Sequence, residues 1–396
     1  MPRMTARNRT EKHRTSTPLE LFFDLCFVVA VAQAGGRLVH ALAEGHPGTG
    51  IASYLAVFFG IWWAWVNFSW FASAYDTDDT LYRLVTFVQI TGVLIFAAGV
   101  PRAFDDGDWT LGVIGYVVMR LALTSQWLRV VHCSEGAERR VAQRYAIGIA
   151  LAQLGWIGML FVPADMNGTR TAVYVALALC ELSVPAVAER DRRTSWHPHH
   201  IGERYGLFTI IVLGETIAAA TVAVQESVDE HDALGELLPV AAGGLLIVFA
   251  AWWIYFAVPI HNYLRGSRQS FIWGYGHYVI FGSAAAIGAG IEVAVEGATG
   301  KAHVSAEAAS AAVTVPSAVF LLTVWLLHAR HFKRDLAEQL PLPLAAVAIL
   351  ACTFAGEYAV FAAGLVASAT VAAGVVLSRR PAPGGPVSTS VPPTHA

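Results

Sequence analysis

Charge is what this chain has least of. Only 14% of its 396 residues are Asp, Glu, Lys or Arg, against about 25% in soluble proteins. Neither sign dominates: 26 Lys and Arg stand against 29 Asp and Glu, a formal net charge of −3. The basic field that draws nucleic acid is therefore missing. Cysteine is scarce too. Cys26, Cys133, Cys180 and Cys352 are far apart and form no CxxC pair, so neither a disulfide framework nor a zinc site is implied. There is no nucleophile elbow and no HExxH motif, and nothing signals a cofactor. What fills the chain instead is apolar, 56% of all residues with 12 Trp among them. A water-soluble enzyme, a nucleic-acid binder and a disordered protein are excluded. A polytopic membrane protein remains.

A hydrocarbon core about 30 Å thick takes about 20 apolar residues of helix. By that measure helices fall near 19–43, 51–72, 81–100, 110–131, 142–162 and 171–189. A second set falls near 203–224, 236–258, 270–292, 310–329, 342–357 and 359–378. The fold class expected is all-α, a membrane bundle of about twelve spans. Only Gly356-Glu357 separates the last two, so eleven is the rival count. With twelve spans and a cytoplasmic N-terminus, 21 of the 26 Lys and Arg lie on the inner side, as the positive-inside rule requires. Eleven spans would put Arg379-Arg380 outside. The basic N-terminus followed by an apolar run resembles a signal peptide, but Glu20 and Asp24 interrupt it, which favours a retained first helix.

The chain also repeats itself faintly. Phe59-Gly60-Ile61-Trp62-Trp63 returns in style as Phe249-Ala250-Ala251-Trp252-Trp253, and Trp127 to His132 has a loose counterpart in Trp325 to His331. Two six-helix halves of the same orientation would follow. The expected organisation is a basic tail over 1–18, a first half over 19–189 and a linker over 190–202. A second half over 203–380 and a flexible tail over 381–396, rich in Pro, Ser and Thr, complete it.

Ionisable side chains at bilayer depth are costly, and each is a candidate for function. The segment from His200 to Glu215 is the richest. His200 and Arg204 are four apart and share a face if the helix reaches back that far. Arg204 and Glu215 are eleven apart, close to three turns, so they project the same way about 16 Å apart along the axis. Arg204 then sits at the inner surface and Glu215 near mid-membrane, a column suited to protons or a cation. The bland alternative is a snorkelling Arg with Glu215 in a structural pair. Arg120 and Glu181 also fall near mid-depth, and the spacing leaves open whether Arg120 meets Glu181 or Glu215. Glu20 and Asp24, at i and i+4, open the first helix, where carboxylates also complement the helix dipole. His277 is two turns into the ninth helix and suits a proton shuttle or a plain interhelical hydrogen bond. The Trp-Trp patches read as interface anchors. The cluster Trp196-His197-Pro198-His199-His200 lacks the spacing and partners of a metal site.

Together these motifs resemble the bacterial low temperature requirement protein A family. The residues carrying the resemblance are PLELFFDLCFVVAVAQ at 18–33, WWAWVNF at 62–68, HIGERYGLFTIIVLGETI at 200–217, WWIYF at 252–256 and YGHY at 275–278. It implies a multi-span inner-membrane protein linked to growth in the cold or under stress. It supplies no reaction. It adds weight to His200, Glu203, Arg204, Glu215, Glu20, Asp24 and His277, which stand in those motifs. The expected function is transport of a small ion or solute across the lipid bilayer, with Glu215 as the mid-membrane site. The rivals are a membrane-embedded lipid enzyme using His200, Glu203 and Glu215, and a non-catalytic stress protein.

Overall fold

The computed structural model describes residues 3–8, 11, 14–163, 166–231, 234–264, 266–333 and 335–379. The tail expected over 381–396 lies outside the described residues. Among those described there is no strand, and helices stand at each of the twelve expected places. They are α1 (Pro18–Ala43), α2 (Pro47–Tyr75), α3 (Thr80–Asp105), α4 (Thr110–Cys133), α5 (Gly136–Met159) and α6 (Asn167–Ala188). Then come α7 (Pro198–His231), α8 (Leu234–Phe256), α9 (Ser267–Ala298), α10 (Ala306–Leu327), the single turn α11 (Leu336–Gln339), α12 (Pro341–Cys352) and α13 (Ala359–Ser378).

Ten of these are long and apolar enough to cross a membrane, among the described residues. Two expected spans fall short for different reasons. α5 is 24 residues long, but Glu138, Arg139, Arg140 and Arg144 occupy its first turns. α12 has only 12 residues, about 18 Å of rise, less than the hydrocarbon thickness. Large apolar side chains face outward along the bundle, among them Leu151, Leu154, Leu179 and Val347, each at least 60% exposed. In water such a surface would aggregate; here it meets lipid.

Local sequence sets where helices begin. Thr17 caps α1 in a reciprocal box with Glu20, Asp79 caps α3 through the Tyr82 amide, and Ser305 caps α10. Such caps satisfy the free amides of a first turn.

Lipid offers no hydrophobic drive between helices, so close backbone approach does the packing. α3 and α4 meet at Gly92 and Gly115, where an added Cβ would fall 2.8 Å or less from the opposing carbonyl. α9 and α10 meet likewise at Gly290 and Ala312, with a Cβ on Gly290 only 2.1 Å from the Ala312 oxygen. Gly290→Ala must force these helices apart. We expect about 1–3 kcal/mol of lost stability, read as earlier thermal unfolding in detergent. Gly374→Ala, which meets nothing within 4 Å, is the matched control and should unfold as wild type does.

Neighbour order is partly shared between the two sets, although α8 packs closely on α13 with no comparable pairing of α2 with α6. α1 packs on α2 and α3, α3 on α4, α4 on α5, and α5 on α6; α7 packs on α8 and α9, α9 on α10, α10 on α12, and α12 on α13. The aromatic patches are less alike. Trp62 and Trp63 are buried, whereas Trp252 and Trp253 are half exposed.

Candidate functional site

The intramembrane polar residues gather in three places. The first is built where α1 and α7 begin and α2 ends. α7 starts at Pro198, five residues before the expected position, and this brings His200 onto the helix one turn from Arg204. The capping box fixes Glu20: its carboxylate Oε2 accepts from the Thr17 amide at 2.8 Å. His200 Nε2 stands 3.2 Å from the same carboxylate. One turn further, Arg204 Nη2 donates to Asp24 Oδ1 at 2.6 Å and to Ser69 Oγ at 3.2 Å. Trp65 Nε1 donates to the same Asp24 oxygen at 2.7 Å. Glu20 and Asp24 on α1 thus face His200 and Arg204 on α7 as two rungs, with matching i, i+4 spacing on both helices. All four residues are 0% exposed.

Buried polar atoms almost always find partners, yet several here do not. Asp24 Oδ2, His200 Nδ1 and Arg204 Nε and Nη1 are buried without a hydrogen bond, as are Tyr82 Oη, Asp76 Oδ2 and Glu203 Oε2 nearby. Asp76, just past the end of α2, lies within electrostatic reach of Glu20, Arg14 and Arg7, which joins these groups in one cluster.

The segment ahead of α1 covers that cluster. Arg14 donates to the Ala72 carbonyl at 2.7 Å and to that of Ser73, filling acceptors that a helix C-terminus leaves open. The Arg7 amide donates to Ala74 O at 2.9 Å, and the Ser16 amide to Glu203 Oε1 at 3.3 Å. Met4 is fully buried. At this edge burial, reinforced by the charge of Glu20, lifts the Asp76 carboxyl to about 6 against the pull of Arg14 and Arg7. Burial also lowers Arg14 from the usual guanidinium value.

The second place answers the open question about Arg120. Its Nη2 donates to Glu181 Oε2 at 2.6 Å. That carboxylate also accepts from Trp63 Nε1 at 3.0 Å, Gln153 Nε2 at 3.0 Å, Trp156 Nε1 at 3.3 Å and Tyr116 Oη at 3.3 Å. Five donors from α2, α4 and α5 close on one acid of α6.

The third place holds His277, wholly buried among Tyr205, Tyr255, Trp273, Phe281 and His328. Its Nδ1 lies 2.7 Å from the Trp273 carbonyl, which can only accept, so Nδ1 carries the proton. Nε2 lies 3.0 Å from the Tyr255 hydroxyl, which donates to it when the ring is neutral. Trp273 Nε1 donates to His328 Nε2 at 3.0 Å.

Glu215 stands apart from all three. It is half buried with no ion pair or hydrogen bond among the described residues, and Arg204 is engaged with Asp24 instead. No group of three or more His, Cys, Asp or Glu among the described residues is placed to hold a metal.

Several of these partners escape sequence reasoning. Trp63 and Trp65 look like interface anchors, but both are buried and donate to intramembrane carboxylates. Arg14 and Asp76 look like ordinary loop charges. The one signal available for the ladder is the equal spacing of the acids at 20 and 24 and the bases at 200 and 204.

A family model described as bacterial low temperature requirement A protein matches residues 15–378. The chain belongs to this family. The match takes in every LtrA helix from α1 to the last residue of α13, and so contains the ladder, the Glu181 knot and the His277 box. An uncharacterized protein of Rhizobium meliloti (strain 1021) is similar to this LtrA protein, 27% identical over 260 residues, which are 63% of this chain and 60% of the relative. The chain therefore spans less than two thirds of that relative's length.

Proposed function

We propose that this chain is a transporter or ion-translocating protein of the bacterial inner membrane, carrying protons or a small cation, with both termini cytoplasmic. One observation carries the reading: two wholly buried acid–base rungs join α1 to α7 while polar atoms of the same residues stay unpartnered. Arg120 beside Glu181 also leaves Nε and Nη1 without a hydrogen bond, but both oxygens of that acid are engaged, whereas Asp24 keeps Oδ2 open. Carboxylates also outnumber permanent cations in the cluster, with Glu20, Asp24, Asp76 and Glu203 against Arg7, Arg14 and Arg204. A proton or a bound cation restores the balance. His200 is the group that trades a proton with Glu20.

The rungs cross between the first helix of each six-helix half, so rocking of one half against the other would break and remake them. The part of the neighbour order that the two sets share supports that division. Glu215 is the mid-membrane carboxylate that receives the ion further along α7. Arg120 with Glu181 steadies the first half, and His277 lines the approach beside Tyr205. A role in growth at low temperature accords with the family's description.

The test is flux in proteoliposomes under an imposed pH or potassium gradient. Wild type should move ions, and Asp24→Asn and Glu215→Gln should each slow it at least tenfold while the protein still elutes as a folded species. Equal flux in all three would remove the assignment.

A further inference from the structure

Away from the polar ladder, the chain between α10 and α12 makes two short turns, Ala329–His331 and Leu336–Gln339. A cleft of about 380 Å³ opens there between the ends of α8 and α13 and the start of α12. That volume lies within the usual range of small-molecule sites, about 300–1,000 Å³. Its walls are apolar, with Trp253, Ile254, Leu342 and Val371 among them, and Lys333 and Glu338 stand in its lining. Trp253 is half exposed, so the cleft opens on the side where lipid packs.

Lys333 is half buried and has no carboxylate within ion-pair distance among the described residues. Burial lowers its pKa, and the more distant Glu338 only partly offsets this. The ammonium thus lacks a full counter-charge. Arg330, just beyond α10, and Arg379, at the end of α13, are exposed at the same end of the bundle. An apolar recess with a cation at its membrane-surface end matches one kind of molecule, an acyl chain joined to a negative headgroup.

We propose that this cleft binds an anionic phospholipid of the surrounding bilayer, its phosphate beside Lys333 and its acyl chain along Trp253, Ile254 and Val371. Arg330 and Arg379 add to the attraction, and Glu338 disfavours headgroups of higher negative charge. The inference is independent of what the protein transports.

Full-length protein in phosphatidylcholine vesicles tests it. Brominated phosphatidylglycerol or brominated phosphatidylcholine is added at equal mole fraction, and the difference between wild type and Trp253→Phe isolates the emission of Trp253. Brominated phosphatidylglycerol should quench at about fivefold lower mole fraction, as one lysine contact at the membrane surface provides. Lys333→Gln should abolish the preference. Gly374→Leu should fill the cleft and reduce quenching by both lipids, without disturbing packing, because Gly374 faces open space. Equal quenching by the two lipids, unchanged in Lys333→Gln, would overturn the proposal. So would loss of the preference in millimolar inorganic phosphate, which would make the site one for a free anion. Concentration-dependent association abolished by Gly374→Leu, with no lipid preference, would give the cleft to a second copy and likewise end it.

Discussion

Arg204→Met should cost the protein about 3–5 kcal/mol of stability, and adding Asp24→Asn should restore most of it. The guanidinium and the carboxylate meet at 2.6 Å with both side chains 0% exposed. Removing the cation alone leaves the Asp24 carboxyl buried without its counter-charge, with the Trp65 indole as its remaining donor among the described residues. Taking out two charges of that size is expensive, but taking out only one is worse. The double variant exchanges both for neutral groups and avoids the orphaned charge. Denaturation in detergent, arranged as a double-mutant cycle, measures the coupling directly. Additive losses in the double variant would mean that the two charges do not depend on each other. Stability and transport should separate in this cycle: the double variant regains stability while ion flux stays absent, because the titrating group is gone.

The bundle itself is legible from sequence because a span announces itself in about 20 consecutive residues. α13 stands at 359–378 as expected, and α1, α3 and α4 begin within a residue of their expected starts. The departures have local causes. α7 starts earlier because Pro198 suits a first helical turn, and α12 is short because helix gives way to turns after Cys352. The site was half legible. Each acid and each base was visible as an intramembrane charge, and the i, i+4 spacing was visible on each helix separately. Which helix faces which is a property of packing between residues 180 apart, and no period along the chain encodes it. The Trp residues illustrate the same limit. Trp65 and Trp253 carry the same side chain, yet one is a buried donor to Asp24 and the other faces outward. Only the helices around them decide. Glu215 was prominent in the sequence because it is a lone acid in an apolar run, and it is alone in the structure as well.

The second large effect is expected at Glu181, and its pattern should differ from that of the ladder. Both of its oxygens are engaged, with Arg120, Trp63, Gln153, Trp156 and Tyr116 all donating. The five donors come from three neighbouring helices, so this acid ties four helices together. Glu181→Gln looks conservative but places an amide NH2 among five donors, where one side of the group can only repel. It should therefore lose about 3–5 kcal/mol, as much as Glu181→Leu, since either change strands Arg120 in the interior. Adding Arg120→Met to Glu181→Leu should recover a large part, whereas adding it to Glu181→Gln should recover less, because the indole, phenol and amide donors still face the wrong end of the glutamine. Thermal unfolding of the four variants in detergent checks the order. If Glu181→Gln proved as stable as wild type, the five donors would not depend on a carboxylate, and the hold on these four helices would lie elsewhere.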